Sequence, residues 1–287
     1  MNKIEAFLGS KSVSLPNSPL DLSESFRNGS VSQGYVIVMT GRSGSTWLAA
    51  ALDQLPGFGN PLEYFSEAGF AHYWTFNSQQ DFSDVFSGMV RKYADQGCFG
   101  FKINPERFFW LGSLVDLGAT FCQPNIAWID MRRWNLVKQA LSFSVAKKSG
   151  VWHQFVGKQS STNATANNKQ AEISDLDLWN ELLAVLKQEQ AMDEFYSRYS
   201  VSPMRVFYEE IFDSKSSLLI RVCQQIRPNQ SVDLSSHSDK TMKFDKGEYA
   251  QVESRFTEKY AIILNEIYSN RANIAVRDIR RRIMAVI

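Results

Sequence analysis

The chain has 287 residues, 44% of them hydrophobic and 21% charged, and a formal net charge of +1. That is the composition of a globular protein with room for a sizeable core, and the near-neutral charge excludes a global positive field that would draw nucleic acid. No apolar stretch approaches a membrane span or a signal-peptide core, so the expected compartment is the cytoplasm, with the surface of a membrane as the other setting considered.

Residues 1–34 are polar and serine-rich and read as an arm on the surface. Tyr35–Met39 is a continuous apolar run, as in a buried strand of a parallel sheet. Thr40-Gly41-Arg42-Ser43-Gly44-Ser45-Thr46 follows, and then a helical stripe of Trp47, Leu48, Ala51, Leu52 and Leu55, stopped by Pro56-Gly57. Two glycines at a helix N-terminus either allow a tight strand-to-helix turn or, with the cation and several hydroxyls beside them, form an anion cradle, the reading favoured here because a turn alone needs neither Arg42 nor the hydroxyls. A Walker A loop would need a glycine where Met39 stands and a lysine where Ser45 stands, so the turn is P-loop-like without being an NTPase loop.

The loop Asn60-Pro61-Leu62-Glu63-Tyr64-Phe65 brings a carboxylate, flanked by aromatics, back towards the sheet's carboxyl edge. Glu63 is there either a surface carboxylate or a general base beside the cradle. Cys98–Ile103 is a second strand, in which Lys102 either closes the strand in solvent or reaches an anion. A helix follows over residues 107–120. Asn125–Met131 is a third strand, and Arg132-Arg133 at its end, with Gln139 and Ser142 in the next helix, is either a solvated basic corner or, as the recurrence of strand-end cations favours, a second anion site suited to a phosphate.

Residues 157–175 form a polar loop, either an inert insertion or a substrate lid. A helix over 176–199, a fourth strand over 204–209 and a helix over 211–226 continue the alternation of a single parallel α/β sheet. Lys240, Lys243 and Lys246 lie in a basic loop, and a long helix spans 249–268. In the basic segment 271–287, Val276, Ile279, Ile283, Val286 and Ile287 share a helical face away from Arg277, Arg281 and Arg282. That face packs on its own domain, on a second copy or on an anionic membrane. Cys98, Cys122 and Cys223 have no metal or disulfide spacing and read as reduced core thiols.

RSGSTWL after an apolar strand, NPLEYF, FGFKI and IDMRRWNLVKQALSFSVAKKSGVW resemble, in that order, the sulfotransferases that use 3′-phosphoadenosine-5′-phosphosulfate (PAPS). The likeness is above all to the bacterial trehalose, nodulation-factor and lipopolysaccharide sulfotransferase branch. It runs from about residue 35 to 153, within a single domain over 35–270. The resemblance implies a P-loop-like parallel sheet of about four to five strands flanked by helices, PAPS as donor, 3′-phosphoadenosine-5′-phosphate as product, no metal, and a carbohydrate or glycolipid hydroxyl as acceptor. It implies that Arg42, Ser43, Gly44, Ser45 and Thr46 hold the 5′-phosphosulfate, that Arg133, Ser142 and Gln139 hold the 3′-phosphate, that Glu63 is the base, and that Lys102 lies near the transferring group. Many relatives carry lysine where Arg42 stands and use a histidine base, a role for which His72 and His153 are the candidates here. An ATP-using P-loop kinase and a non-catalytic nucleotide-binding protein are the readings from other classes.

Overall fold

The computed structural model describes residues 3–28, 31–76, 80–150, 172–235, 238, 249–285 and 287. The first half runs α1 (Lys3–Ser10), β1 (Val13–Ser14), α2 (Ser23–Asn28), β2 (Gln33–Met39), α3 (Ser45–Leu52), α4 (Glu67–Tyr73), β3 (Gln80–Asp81), α5 (Phe82–Tyr93), β4 (Cys98–Ile103), α6 (Pro105–Leu111), α7 (Leu117–Phe121) and β5 (Ile126–Arg132). The second runs α8 (Leu136–Ser149), α9 (Asp175–Arg198), β6 (Met204–Phe207), α10 (Glu210–Asp213), α11 (Lys215–Ile226), α12 (Ala250–Lys259), α13 (Ala261–Ser269) and α14 (Val276–Met284).

Four strands form one sheet in the order β4-β2-β5-β6, every neighbouring pair parallel. Side-chain alternation divides the core between its two faces. Tyr35, Ile37, Met39, Ala127, Ile129 and Met131 pack with Leu48 and Leu52 of α3 and Val222 of α11. Val36, Val38, Phe99, Phe101 and Trp128 turn the other way, onto Phe86 of α5 and Phe195 and Tyr196 of α9. A further cluster joins α8 and α9 to α12, α13 and α14.

Several boundaries differ from the sequence reading. Residues 1–34 are not a surface arm, because Ile4, Leu8, Val13, Leu22, Phe26 and Val31 are buried in the main core. Helices expected to be continuous break at Ser214 and at Tyr260, and the one expected over 107–120 is two short helices. The C-terminal helix packs on its own chain, burying Val276, Ile279 and Ile283 with Leu178, Leu182 and Leu186 of α9. That apolar face is thereby withdrawn from a second copy or a membrane. Val286 lies outside the described residues, and Ile287 is exposed.

Chain order sets the position of the site. The chain leaves β2 for β4 on one side, whereas it leaves β5 for β6 on the other. In an open parallel sheet such a reversal opens a crevice at the carboxyl ends of the two strands, here β2 and β5. The Arg42 turn leaves the first and Arg133 the second.

Candidate active site

The turn after β2 is coiled by two left-handed residues, Arg42 at φ 67° and Gly44 at φ 85°. This backbone form gathers N–H groups at the start of α3, where the helix dipole favours an anion. Gly44 is required twice over: its φ suits glycine, and a Cβ there would meet Tyr208 Cδ2 at 2.8 Å and Ile211 Cδ1 at 2.7 Å. Gly44→Ala should therefore cost about 1–3 kcal/mol of stability. Urea unfolding measures that loss, and anion binding should weaken with it because the cradle itself is displaced.

The helix after β5 closes the crevice from the opposite side. Gln139 is wholly buried, and its amide nitrogen donates to Thr40 Oγ1 at 2.9 Å and to the carbonyl of Gly41 at 2.7 Å. Both amide hydrogens are thus used in shaping the loop, and the Oε1 left without a partner is an acceptor with nothing to offer a phosphate. Ser142 Oγ accepts from Arg42 Nε at 2.9 Å, tying α8 to the turn.

Arg132 and Arg133, adjacent in sequence, part company. Arg132 continues the strand face of Trp128 and Asp130 and is held under α9 by Asp130 at 2.7 Å and Asp193 at 2.6 Å, with Glu189 at 3.8 Å. These charges are spent on one another, so Arg132 is no anion ligand. Arg133 lies with its guanidinium 4.4 Å from the ring centroid of Tyr208, and its buried Nε has no hydrogen-bond partner; Glu209 Oε1 stands off at 3.9 Å. Ser43 Oγ is a second buried polar atom of this crevice without a partner. Burial, and then the neighbouring Arg133 charge, pull Arg42 below the ordinary arginine value, and burial does the same to Arg133. Two cations whose charged forms burial disfavours, beside buried polar atoms without hydrogen-bond partners, are an arrangement that an anion would relieve.

Glu63 is placed by backbone pairing. The N–H of Lys102 donates to the carbonyl of Leu62 at 3.1 Å, so the loop runs along the outer edge of β4. Tyr64 and Phe65 beneath it are fully buried, whereas the Glu63 side chain is 36% exposed, a carboxylate at the mouth rather than in the core. Lys102 is not a solvated strand end: it is 6% exposed, with Nζ 2.9 Å from Glu63 Oε1 and 3.3 Å from Thr46 Oγ1 at the first turn of α3. The lysine thus links the carboxylate to the cradle.

His72 is exposed on α4 against Tyr73. His153, the loop over 157–171 and Lys240, Lys243 and Lys246 lie outside the described residues, while Ser174 and Asp177 form a capping box that starts α9. Burial pushes the Cys98 and Cys223 thiols up to about 12 and Cys122 to about 11, so all three are unreactive thiols at neutral pH. Among the described residues no helix is long and apolar enough to cross a membrane, and no group of three or more His, Cys, Asp or Glu could hold a metal ion. Sequence reasoning missed Tyr208 and Glu209 because it runs the fourth strand to 209, whereas β6 ends at Phe207 and both residues follow that strand end.

No curated protein matches the chain. Residues 113–254 match the family model described as Stf0 sulphotransferase, a stretch that carries β5, Arg133, Gln139, Ser142, α9 and β6. The Arg42 turn and Glu63 precede that stretch and complete the same crevice from the other side. Together with a four-stranded parallel sheet whose switch point carries Arg42 and Arg133, that match supports a sulfotransferase of the Stf0 family.

Proposed function

We propose that the protein transfers a sulfuryl group from PAPS to a hydroxyl of a carbohydrate or glycolipid acceptor, with Glu63 as general base. The observation that carries this reading is the pair of largely buried arginines, Arg42 and Arg133, one on each side of the β2–β5 crevice, beside the Arg133 Nε and Ser43 Oγ atoms that have no hydrogen-bond partner. PAPS is anionic at two separated places, its 5′-phosphosulfate and its 3′-phosphate. The first would lie on Arg42, Ser43, Gly44, Ser45 and Thr46, and the second on Arg133, with Ser142 beside it. When bound, the donor supplies an activated sulfuryl group and a good leaving group, 3′-phosphoadenosine-5′-phosphate.

The rest of the chemistry falls to the chain. Glu63 takes the acceptor's hydroxyl proton on a carboxylate oxygen. Lys102 holds that carboxylate towards α3 through its 2.9 Å ion pair and shares its ammonium with Thr46 at 3.3 Å, so base and cradle keep a fixed separation. Arg42 and the amides of the turn stabilise negative charge as it builds on the anion they hold. Gln139 keeps the turn in place from behind. The carbohydrate class of acceptor rests on the resemblance of the motifs.

An acceptor panel of free sugars and glycolipids, incubated with PAPS carrying labelled sulfur, tests the reading. Label should appear in an alkali-stable sulfate ester of one acceptor class, and the same label should be lost on Arg42→Ala. Transfer of labelled phosphate from ATP in place of sulfate would overturn it.

A further inference from the structure

We infer that Arg271, between α13 and α14, is a positioning residue that sets Arg133 for the donor's 3′-phosphate, which makes the C-terminal segment part of the donor site. The inference rests on the role proposed above for Arg133.

Every nitrogen of the Arg271 guanidinium is engaged. Nε and Nη2 donate to the two oxygens of Glu189 at 2.8 and 2.6 Å, a fork on a carboxylate that is itself 3% exposed in the middle of α9. Nη2 also donates to the carbonyl of Arg133 at 2.8 Å and Nη1 to the carbonyl of Trp134 at 3.1 Å. From the other side the two oxygens of Glu209 accept the N–H groups of Trp134 at 2.9 Å and Asn135 at 3.2 Å. The turn between β5 and α8 is thus held by a cation on its carbonyls and an anion on its amides, and the side chain it projects is Arg133.

Arg271 can serve as this anchor because its own backbone is fixed. Gln190 of α9 donates to the carbonyl of Ile274 at 2.8 Å, and Ile274, Val276, Ile279 and Ile283 are buried with the α9 leucines. Glu189 lies 3.8 Å from Arg132 as well, so the carboxylate that orients Arg271 also borders the last residue of β5. A planar fork is needed for this set of contacts, since one ammonium cannot span a carboxylate and two successive carbonyls. If the turn relaxes, the Arg133 guanidinium moves relative to a ligand held by the Arg42 cradle. Misplacement by about 1 Å costs up to about 10²-fold.

The test measures affinity for 3′-phosphoadenosine-5′-phosphate and for 5′-AMP by calorimetry in the wild type, in Arg271→Lys, and in the double variant Glu189→Leu/Arg271→Met. The lysine keeps a cation against Glu189, and the double variant removes the buried pair as a unit, so that a fold survives in at least one of them. The expected result is a fall on the order of tenfold or more in the preference for the bisphosphate, with AMP affinity changed less than about twofold. A purely structural role would lower both affinities together. An unchanged preference in a folded variant overturns the inference alone, whereas a wild type with no preference for the bisphosphate overturns the donor reading and the inference with it.

Discussion

Glu63→Gln should lower turnover by a factor on the order of 10²–10⁴ while leaving nucleotide affinity within about twofold. The amide keeps the size of the carboxylate and removes only its ability to take a proton. Its neighbour Lys102 loses an ion-pair partner at 2.9 Å but retains Thr46 Oγ1 at 3.3 Å. Because the Glu63 side chain is 36% exposed, solvent screens that pair and the fold should lose no more than about 1 kcal/mol. Single-turnover kinetics with preformed donor complex separate the chemical step from binding. Turnover equal to that of the wild type would move proton removal to another group.

Arg133→Met carries the second large effect. Removing one partner of a buried, hydrogen-bonded charge pair costs about 2–5 kcal/mol, so affinity for 3′-phosphoadenosine-5′-phosphate should fall by roughly 30- to 4,000-fold, with 5′-AMP little changed. The apo protein should respond in the opposite sense. Burial lowers the folded-state pKa of Arg133 below its unfolded value, so the charged side chain costs stability at every pH below the unfolded value, and the cost eases only as pH rises through the folded one. Methionine keeps an aliphatic contact with Tyr208 while removing that charge, so its melting temperature should be no lower than that of the wild type by more than a few degrees. A variant that loses stability and every nucleotide alike would mark Arg133 as structural.

The parallel sheet was legible because strands buried on both faces must read as apolar runs, and β2, β4 and β5 do. The turn after β2 was legible because few backbones need two glycines among hydroxyls before a helix. The separate fates of Arg132 and Arg133 were within reach of the same logic. Trp128, Asp130 and Arg132 alternate onto one face, and Glu189 and Asp193 lie one helical turn apart on α9 to meet them. What the sequence did not disclose was long-range pairing. Glu209 reaches the amides of Trp134 and Asn135 across 75 and 74 residues, and Arg271 reaches the carbonyl of Arg133 across 138. Charges spent on distant backbone look like solvated surface in one dimension. The N-terminal segment was misjudged for a related reason: its apolar residues are scattered without period, yet Leu22, Phe26 and Val31 close one end of the core.

In the reading proposed above, the crevice between β2 and β5 takes a nucleotide bearing phosphate at both its 3′ and 5′ positions. Calorimetry of the wild-type protein with 3′-phosphoadenosine-5′-phosphate, AMP, ADP and ATP, at low and moderate salt, addresses it most directly. The bisphosphate should bind best, by roughly 30-fold or more over AMP, and its affinity should weaken as salt screens the exposed part of the two arginines. Equal or tighter binding of ATP would contradict it.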